Sequence, residues 1–172
     1  MVDFRKFVNI SLLILSIFLN ICLKDAVALS SKKITQELGF HDEKGELLTL
    51  ENYEDNVVIL HFWATWCQHC IGEMQIIDKL QKEYRKKPLK VLAISEDYKG
   101  ISIVQDFFKA HKITHLIPLI DNKNLFMKEL NVSSIPTSII VSKEGREIER
   151  FAGEVDWENE EVRKIIDYEL AK

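Results

Sequence analysis

The run Val57-Val58-Ile59-Leu60-His61-Phe62-Trp63, followed at once by Ala64-Thr65-Trp66-Cys67-Gln68-His69-Cys70, decides the fold. Its first seven residues are β-prone and almost wholly apolar, the pattern of a strand buried on both faces. From Cys67 to about Arg85 the apolar positions Met74, Ile77, Leu80 and Tyr84 step by three or four, which predicts a helix with one apolar face. Cys70 falls one turn before Met74 on that face. A Cys-x-x-Cys at this seam puts its first sulfur at a helix N-terminus, where unpaired N–H groups and the helix dipole favour an anion. A thiol so placed ionises at neutral pH. Cys67 therefore reads as an attacking thiolate and Cys70, one turn along, as the thiol that resolves a mixed disulfide. His69, when protonated, would add positive charge near Cys67 and make the pair more oxidising.

Outward from this seam the chain alternates. Upstream, Leu38 to Leu50 predicts a β-hairpin turning at Gly45. Downstream, Pro88 closes the helical region, and Val91 to Ile94 is the next buried strand. Ile103 to Ala110 predicts a helix, Leu116 to Ile120 a strand, and Asn122 to Leu130 a short helix capped by Asp121 or Asn122. Thr137 to Val141 and Glu147 to Phe151 are β-prone and meet at a Lys143-Glu144-Gly145 turn. Trp157 to Leu170 is amphipathic and predicts a closing helix. The order implies an α/β fold, a central mixed sheet with helices on both faces and an extra N-terminal hairpin.

At 172 residues, 47% hydrophobic and 29% charged, the chain has room for one globular domain. Its net charge of −4 and scattered Lys and Arg exclude a nucleic-acid surface. Arg5 and Lys6 precede an apolar run from Phe7 to Leu23, and Ala26-Val27-Ala28 follows. Basic, apolar and small segments in that order read as a secretory signal peptide cut after Ala28. The run also approaches the about 20 residues that span a bilayer, so an uncleaved anchor is the other reading. Residues 1–28 are assigned to this export segment and 29–172 to the domain, which places the protein in a periplasmic compartment. Cys22 belongs to the apolar run. The cysteines left after it form one close pair, and a four-residue ring staples almost nothing. Such a pair in an oxidising compartment is a redox centre or half of a metal site.

These residues resemble the thioredoxin superfamily, and Phe62-Trp63-Ala64-Thr65-Trp66-Cys67 with Glu73-Met74 resembles its extracytoplasmic TlpA/ResA group. Further anchors are Ile135-Pro136-Thr137, Lys143-Glu144-Gly145 and Gly153, and Asp156-Trp157 leans toward the TlpA branch. The resemblance implies a thioredoxin-like fold from about Phe40 onward. It implies a thiol–disulfide oxidoreductase without cofactor that reduces exported proteins such as cytochrome c or cytochrome oxidase assembly clients, recharged by a membrane thiol-transfer protein. Pro136 would be cis beside the disulfide, with Ile135 pairing its backbone with a bound polypeptide and Trp66 on the docking rim. Glu73, three residues after Cys70, would be a buried carboxyl of raised pKa that exchanges protons with Cys70.

Three positions depart from the family pattern. His69 stands where proline is common and leaves the redox potential open. Gln75 stands where a kinking proline is frequent. His61 replaces an Asp or Asn on the strand, and reads equally as a proton partner of Cys70 or as a core histidine with one hydrogen bond. His41, His111 and His115 show no evident partner. A different class, a copper-binding chaperone using Cys67, Cys70 and His69, fits the soft thiolates, but copper carriers of this superfamily space their cysteines more widely. A disulfide-forming oxidase or isomerase of the same fold is the remaining alternative.

Overall fold

The computed structural model describes Lys33–Ile34 and residues 38–172; the export segment read at residues 1–28 lies outside these. Seven strands form one sheet. They are β1 (Phe40–His41), β2 (Leu47–Leu48), β3 (Val57–Trp63), β4 (Leu89–Ser95), β5 (Leu119–Ile120), β6 (Thr137–Val141) and β7 (Glu147–Ala152), in the order β2-β1-β5-β4-β3-β6-β7. β3, β4 and β5 run parallel; every other pairing is antiparallel. The helices are α1 (Gln68–Glu83), α2 (Ile101–His111), α3 (Leu125–Glu129) and α4 (Glu160–Leu170).

The connections explain which face each helix covers. β3-α1-β4 and β4-α2-β5 step the same way across the sheet, and crossovers of one hand then put both helices on the same side. Val57, Ile59 and Trp63 pack there with Met74, Ile77 and Leu80 of α1, Val104 and Phe107 of α2 and Ile166 of α4. The alternate residues Val58, Leu60 and Phe62 face the other way, onto Phe40, Phe126 of α3 and Ile139. Every residue of β3 is buried, His61 included, as its continuous β-prone run predicts.

The β3 and β6 bounds and the hairpin match the sequence expectations; three others are corrected. The strand expected from Leu116 is only Leu119–Ile120, because Asp78 of α1 takes the N–H groups of Thr114, His115 and Leu116 at 2.6–3.1 Å. The short helix begins at Leu125 rather than Asn122. Asn124 caps it in a left-handed conformation, and the Asp121 carboxylate accepts from Leu125 and Met127. The closing helix begins at Glu160 after an Asn159 cap, and Trp157 stands in the loop before it. His115 and His111, expected to be unpartnered, pair with Asp78 at 2.9 Å and stack on Phe107.

Candidate active site

The site forms where β3 ends. A turn closed by the Cys67 N–H on the Ala64 carbonyl at 3.1 Å leads into α1, with Cys67 as its N-cap. The Cys67 sulfur accepts the Cys70 N–H at 3.2 Å, the donor geometry that favours a thiolate there. The two sulfurs are joined in a disulfide. Cys70 is wholly buried, while Cys67 keeps 8% of its surface exposed, so Cys67 is the one a partner reaches first. α1 runs unbroken past Gln75. Trp66, beside Cys67, is 63% exposed.

The Ile135–Pro136 bond is cis, and Pro136 is buried. The Pro136 carbonyl accepts the Gly153 N–H at 2.8 Å, which ties this turn to the end of β7. Ile135 is half-buried and packs against the same apolar cluster that holds Cys67 and Cys70. The structure thus gathers Cys67, Cys70 and Ile135 around one cluster.

Glu73 lies almost one turn after Cys70 and is 4% exposed. Its Oε1 accepts the Val155 N–H at 3.1 Å and the Trp157 indole N–H at 2.7 Å, while Oε2 has no partner. Burial raises its pKa most; the Trp157 and Val155 hydrogen bonds oppose this, and the nearby Glu154 charge adds to the rise. A carboxyl held by one oxygen, with the other free, can take or release a proton without moving its backbone. Trp157 sits before α4 because its indole is committed here and its carbonyl accepts Arg163 at 2.6 Å.

His61 is fully buried on the α1 side of β3. Its Nδ1 shares a hydrogen bond with the Ser138 hydroxyl at 2.9 Å, and Nε2 has no partner. Burial pushes its pKa down to about 3, so the ring is neutral at physiological pH. His69 is exposed and pairs with Glu154 across the site. No residue reading from sequence anticipated this pair.

Two further acids went unnoticed in the sequence. Asp97, 2% exposed, accepts the Thr65 N–H and hydroxyl at 2.8 Å each and the Ser95 hydroxyl at 2.7 Å, strapping the loop after β4 to the turn before Cys67. Its signal was a serine two residues before an aspartate at a strand end. Glu96 beside it is 5% exposed with neither carboxyl oxygen paired, and burial, reinforced by Asp121 and Asp97, pushes it up to about 9. Among the described residues no group of three or more His, Cys, Asp or Glu side chains is arranged to hold a metal ion.

A sheet of mixed direction, a Cys-x-x-Cys at a strand-to-helix seam and a cis-proline turn on the same cluster define a dithiol–disulfide protein of thioredoxin-like architecture. The chain belongs to the Redoxin family, whose model matches residues 28–166. It is similar to thiol-disulfide oxidoreductase ResA of Geobacillus kaustophilus, 31% identical over 122 residues that cover 71% of this chain and 68% of the relative. The ResA protein of Bacillus thuringiensis subsp. konkukian is 30% identical over 113 residues, 66% of this chain. The chain spans 64% of the length of that relative. Among solved structures, a Chlorobium tepidum protein assigned as thiol:disulfide interchange protein DsbE superposes with a TM-score of 0.72. The match covers 81% of this chain and 96% of the other at 21% identity, a likeness of fold.

Proposed function

We propose that this chain is a thiol–disulfide oxidoreductase that reduces disulfides in exported proteins. The observation that carries the reading is the Cys67 sulfur at the α1 N-cap, accepting the Cys70 N–H and more exposed than Cys70. The names of the relatives, thiol-disulfide oxidoreductases of the ResA type, support the same chemistry. Clients of cytochrome c or cytochrome oxidase assembly and a membrane thiol-transfer donor complete the reading, with the N-terminal segment directing export or anchoring the domain.

In the reduced state the Cys67 thiolate attacks one sulfur of a client disulfide. The client S–S bond breaks, a mixed disulfide forms, and the other client sulfur leaves as a thiolate. Cys70 gives its proton to Glu73 and attacks Cys67, which restores the Cys67–Cys70 disulfide and releases the second client thiolate. Two electrons pass from the dithiol to the client, so no cofactor is required. A dithiol donor must then return them. His61, whose pKa burial pushes down to about 3, is too weak a base to hold the Cys70 proton and stays a neutral hydrogen-bonding partner of Ser138. Pro136 and Ile135 form the groove in which the client backbone lies, and Trp66 its rim.

The test is reduction of a protein disulfide by the pre-reduced chain. The expected result is stoichiometric transfer of two electrons per protein, abolished by Cys67→Ser. Cys70→Ser should instead accumulate the mixed disulfide. An equilibrium potential near −120 mV, where a strong oxidant lies, would reverse the direction, whereas a value nearer about −270 mV agrees with the proposal.

A further inference from the structure

Lys and Arg are scattered along the sequence, but the fold gathers several of them on one flank. Lys82 near the end of α1 and Lys112 just past α2 line one cleft, Arg85 and Lys90 line a second, and the two clefts meet at His115. Lys86 follows Arg85. These five cations are exposed, and none has a carboxylate within ion-pair distance among the described residues. The acids beside them are spent. Asp78, in the first cleft, accepts the Thr114, His115 and Leu116 N–H groups and pairs with the His115 ring. Glu83 is held by Lys79 and Arg163, and Asp167 by Lys87. Ile117, 49% exposed, stands with Arg85 and Lys90 in the second cleft. The chain's net charge is −4, so this flank reflects segregation of charge rather than excess.

The flank lies toward the end of the sheet away from the cysteines. Leu89, where β4 begins, pairs with Val57 at the start of β3, whereas Cys67 follows the other end of β3. Lys82 comes 15 residues after Cys67, about 22 Å along the helix axis. The preceding chain joins the domain at this same end. The Ile34 N–H donates to the Gly145 carbonyl at 3.0 Å, in the turn after Val141, which pairs with Val58. Between Leu23, where the apolar run ends, and Lys33 lie residues 24–32, a tether of at most about 32 Å. Protein interfaces are poor in Lys and depend on buried aromatic or Arg anchors. Lipid headgroups ask only for charge density, and an apolar side chain among the cations adds to binding.

We infer that Lys82, Arg85, Lys86, Lys90 and Lys112, around Ile117, sit on the anionic phosphate headgroups of a membrane. This contact turns the Cys67–Cys70 end away from the bilayer, toward soluble clients. The inference rests on the proposed export or anchoring role of the N-terminal segment and adds the surface that sets how the domain stands.

The experiment footprints the lysines of the full-length protein with an acylating reagent, read by mass spectrometry. The protein is labelled on vesicles of phosphatidylcholine alone or mixed with phosphatidylglycerol. Lys82, Lys86, Lys90 and Lys112 should label about fivefold more slowly on the anionic vesicles, the weight of one cation near a charged surface. Lys123 and Lys128, exposed beside and on α3 across the sheet, should not change. Salt at about 1 M, which screens charges beyond about 3 Å, should abolish the difference. The combined variant Arg85→Gln, Lys86→Gln, Lys90→Gln alters only exposed side chains. It should return Lys82 and Lys112 to the rate on neutral vesicles and leave reduction of Ellman's reagent unchanged. Equal labelling on both vesicles, with the chain floating with both, would overturn this face and spare the anchor. A chain that floats with neither would overturn both. Inorganic phosphate protecting these lysines as well as the vesicles do would reduce the flank to a site for small anions. Protection by poly-glutamate but not by vesicles would assign it to an acidic protein. Either result contradicts the proposal.

Discussion

Glu73 and Glu96 are both buried carboxyls whose pKa burial raises, yet they stand in opposite situations. Glu73 sits on α1 three residues after Cys70, and two donors, the Val155 backbone and the Trp157 indole, hold one of its oxygens. Glu96 sits at the end of β4 with no hydrogen-bond partner on either oxygen and two more acids, Asp121 and Asp97, raising it further. Hydrogen bonds to the ionised form keep the Glu73 charge within reach; their absence removes that option from Glu96. Burial alone therefore does not make a proton-exchanging acid. The donors do, by leaving one acid able to change state and the other locked as a neutral group.

The largest test of that contrast is Glu73→Gln. If this carboxyl takes the Cys70 proton, resolution of the mixed disulfide should slow by about 100-fold, within the range of a lost acid–base group. The pH–rate profile should lose the limb that lies above the ordinary carboxylate range. Stopped-flow tryptophan fluorescence across pH 5 to 9 checks this, and an unchanged profile would remove Glu73 from the mechanism.

Glu96→Gln should instead leave exchange unchanged and alter stability. The folded carboxyl holds its proton to about pH 9, while the unfolded one releases it near 4.5. Its contribution is thus fully present below pH 4.5 and is lost as pH rises to about 9. At pH 7 the wild type bears a penalty of about 3 kcal/mol, from about 1.4 kcal/mol per unit between the unfolded pKa and the working pH. Urea unfolding should show Glu96→Gln more stable at pH 7 by a few kcal/mol, and no different from wild type, or slightly weaker, at pH 4.

Smaller effects sharpen the picture of Glu73. Trp157→Phe removes the stronger of its two donors, so its pKa rises further and resolution should slow about 3- to 10-fold, with the profile displaced toward higher pH. Glu154→Gln removes only the weakest of the causes that raise Glu73, in an exposed and well-screened place. Less than about a twofold change in rate should follow, in the direction of a lower pKa.

The two acids also differ in how legible they were. Glu73 follows Cys70 at helical spacing within a recognisable pattern, and its burial was expected. Glu96 ends a β-prone run and looks like any strand-terminal acid; only its burial and the charges of Asp121, from the loop after β5, and of its neighbour Asp97 make it unusual. The strand Val57–Trp63 was legible to the residue because a short, continuous run of β-prone and mostly apolar residues favours a buried strand. β5 was not, since the segment before it, Thr114 to Leu116, gives its N–H groups to Asp78, 36 to 38 positions away. Trp157 was placed in the closing helix for its apolar character, although its indole N–H serves Glu73. The Asp97 tether and the His69–Glu154 pair escaped for the same reason, as both join segments far apart in sequence.

All of these roles presuppose that the reduced Cys67 sulfur is ionised by the helix that starts at it. Alkylation of the Cys70→Ser protein by iodoacetamide, followed from pH 5 to 9 by mass spectrometry, measures this directly. Labelling of Cys67 should stay fast at pH 6, where an unstructured thiol has largely stopped reacting. A rate that falls with pH in step with free cysteine would contradict it.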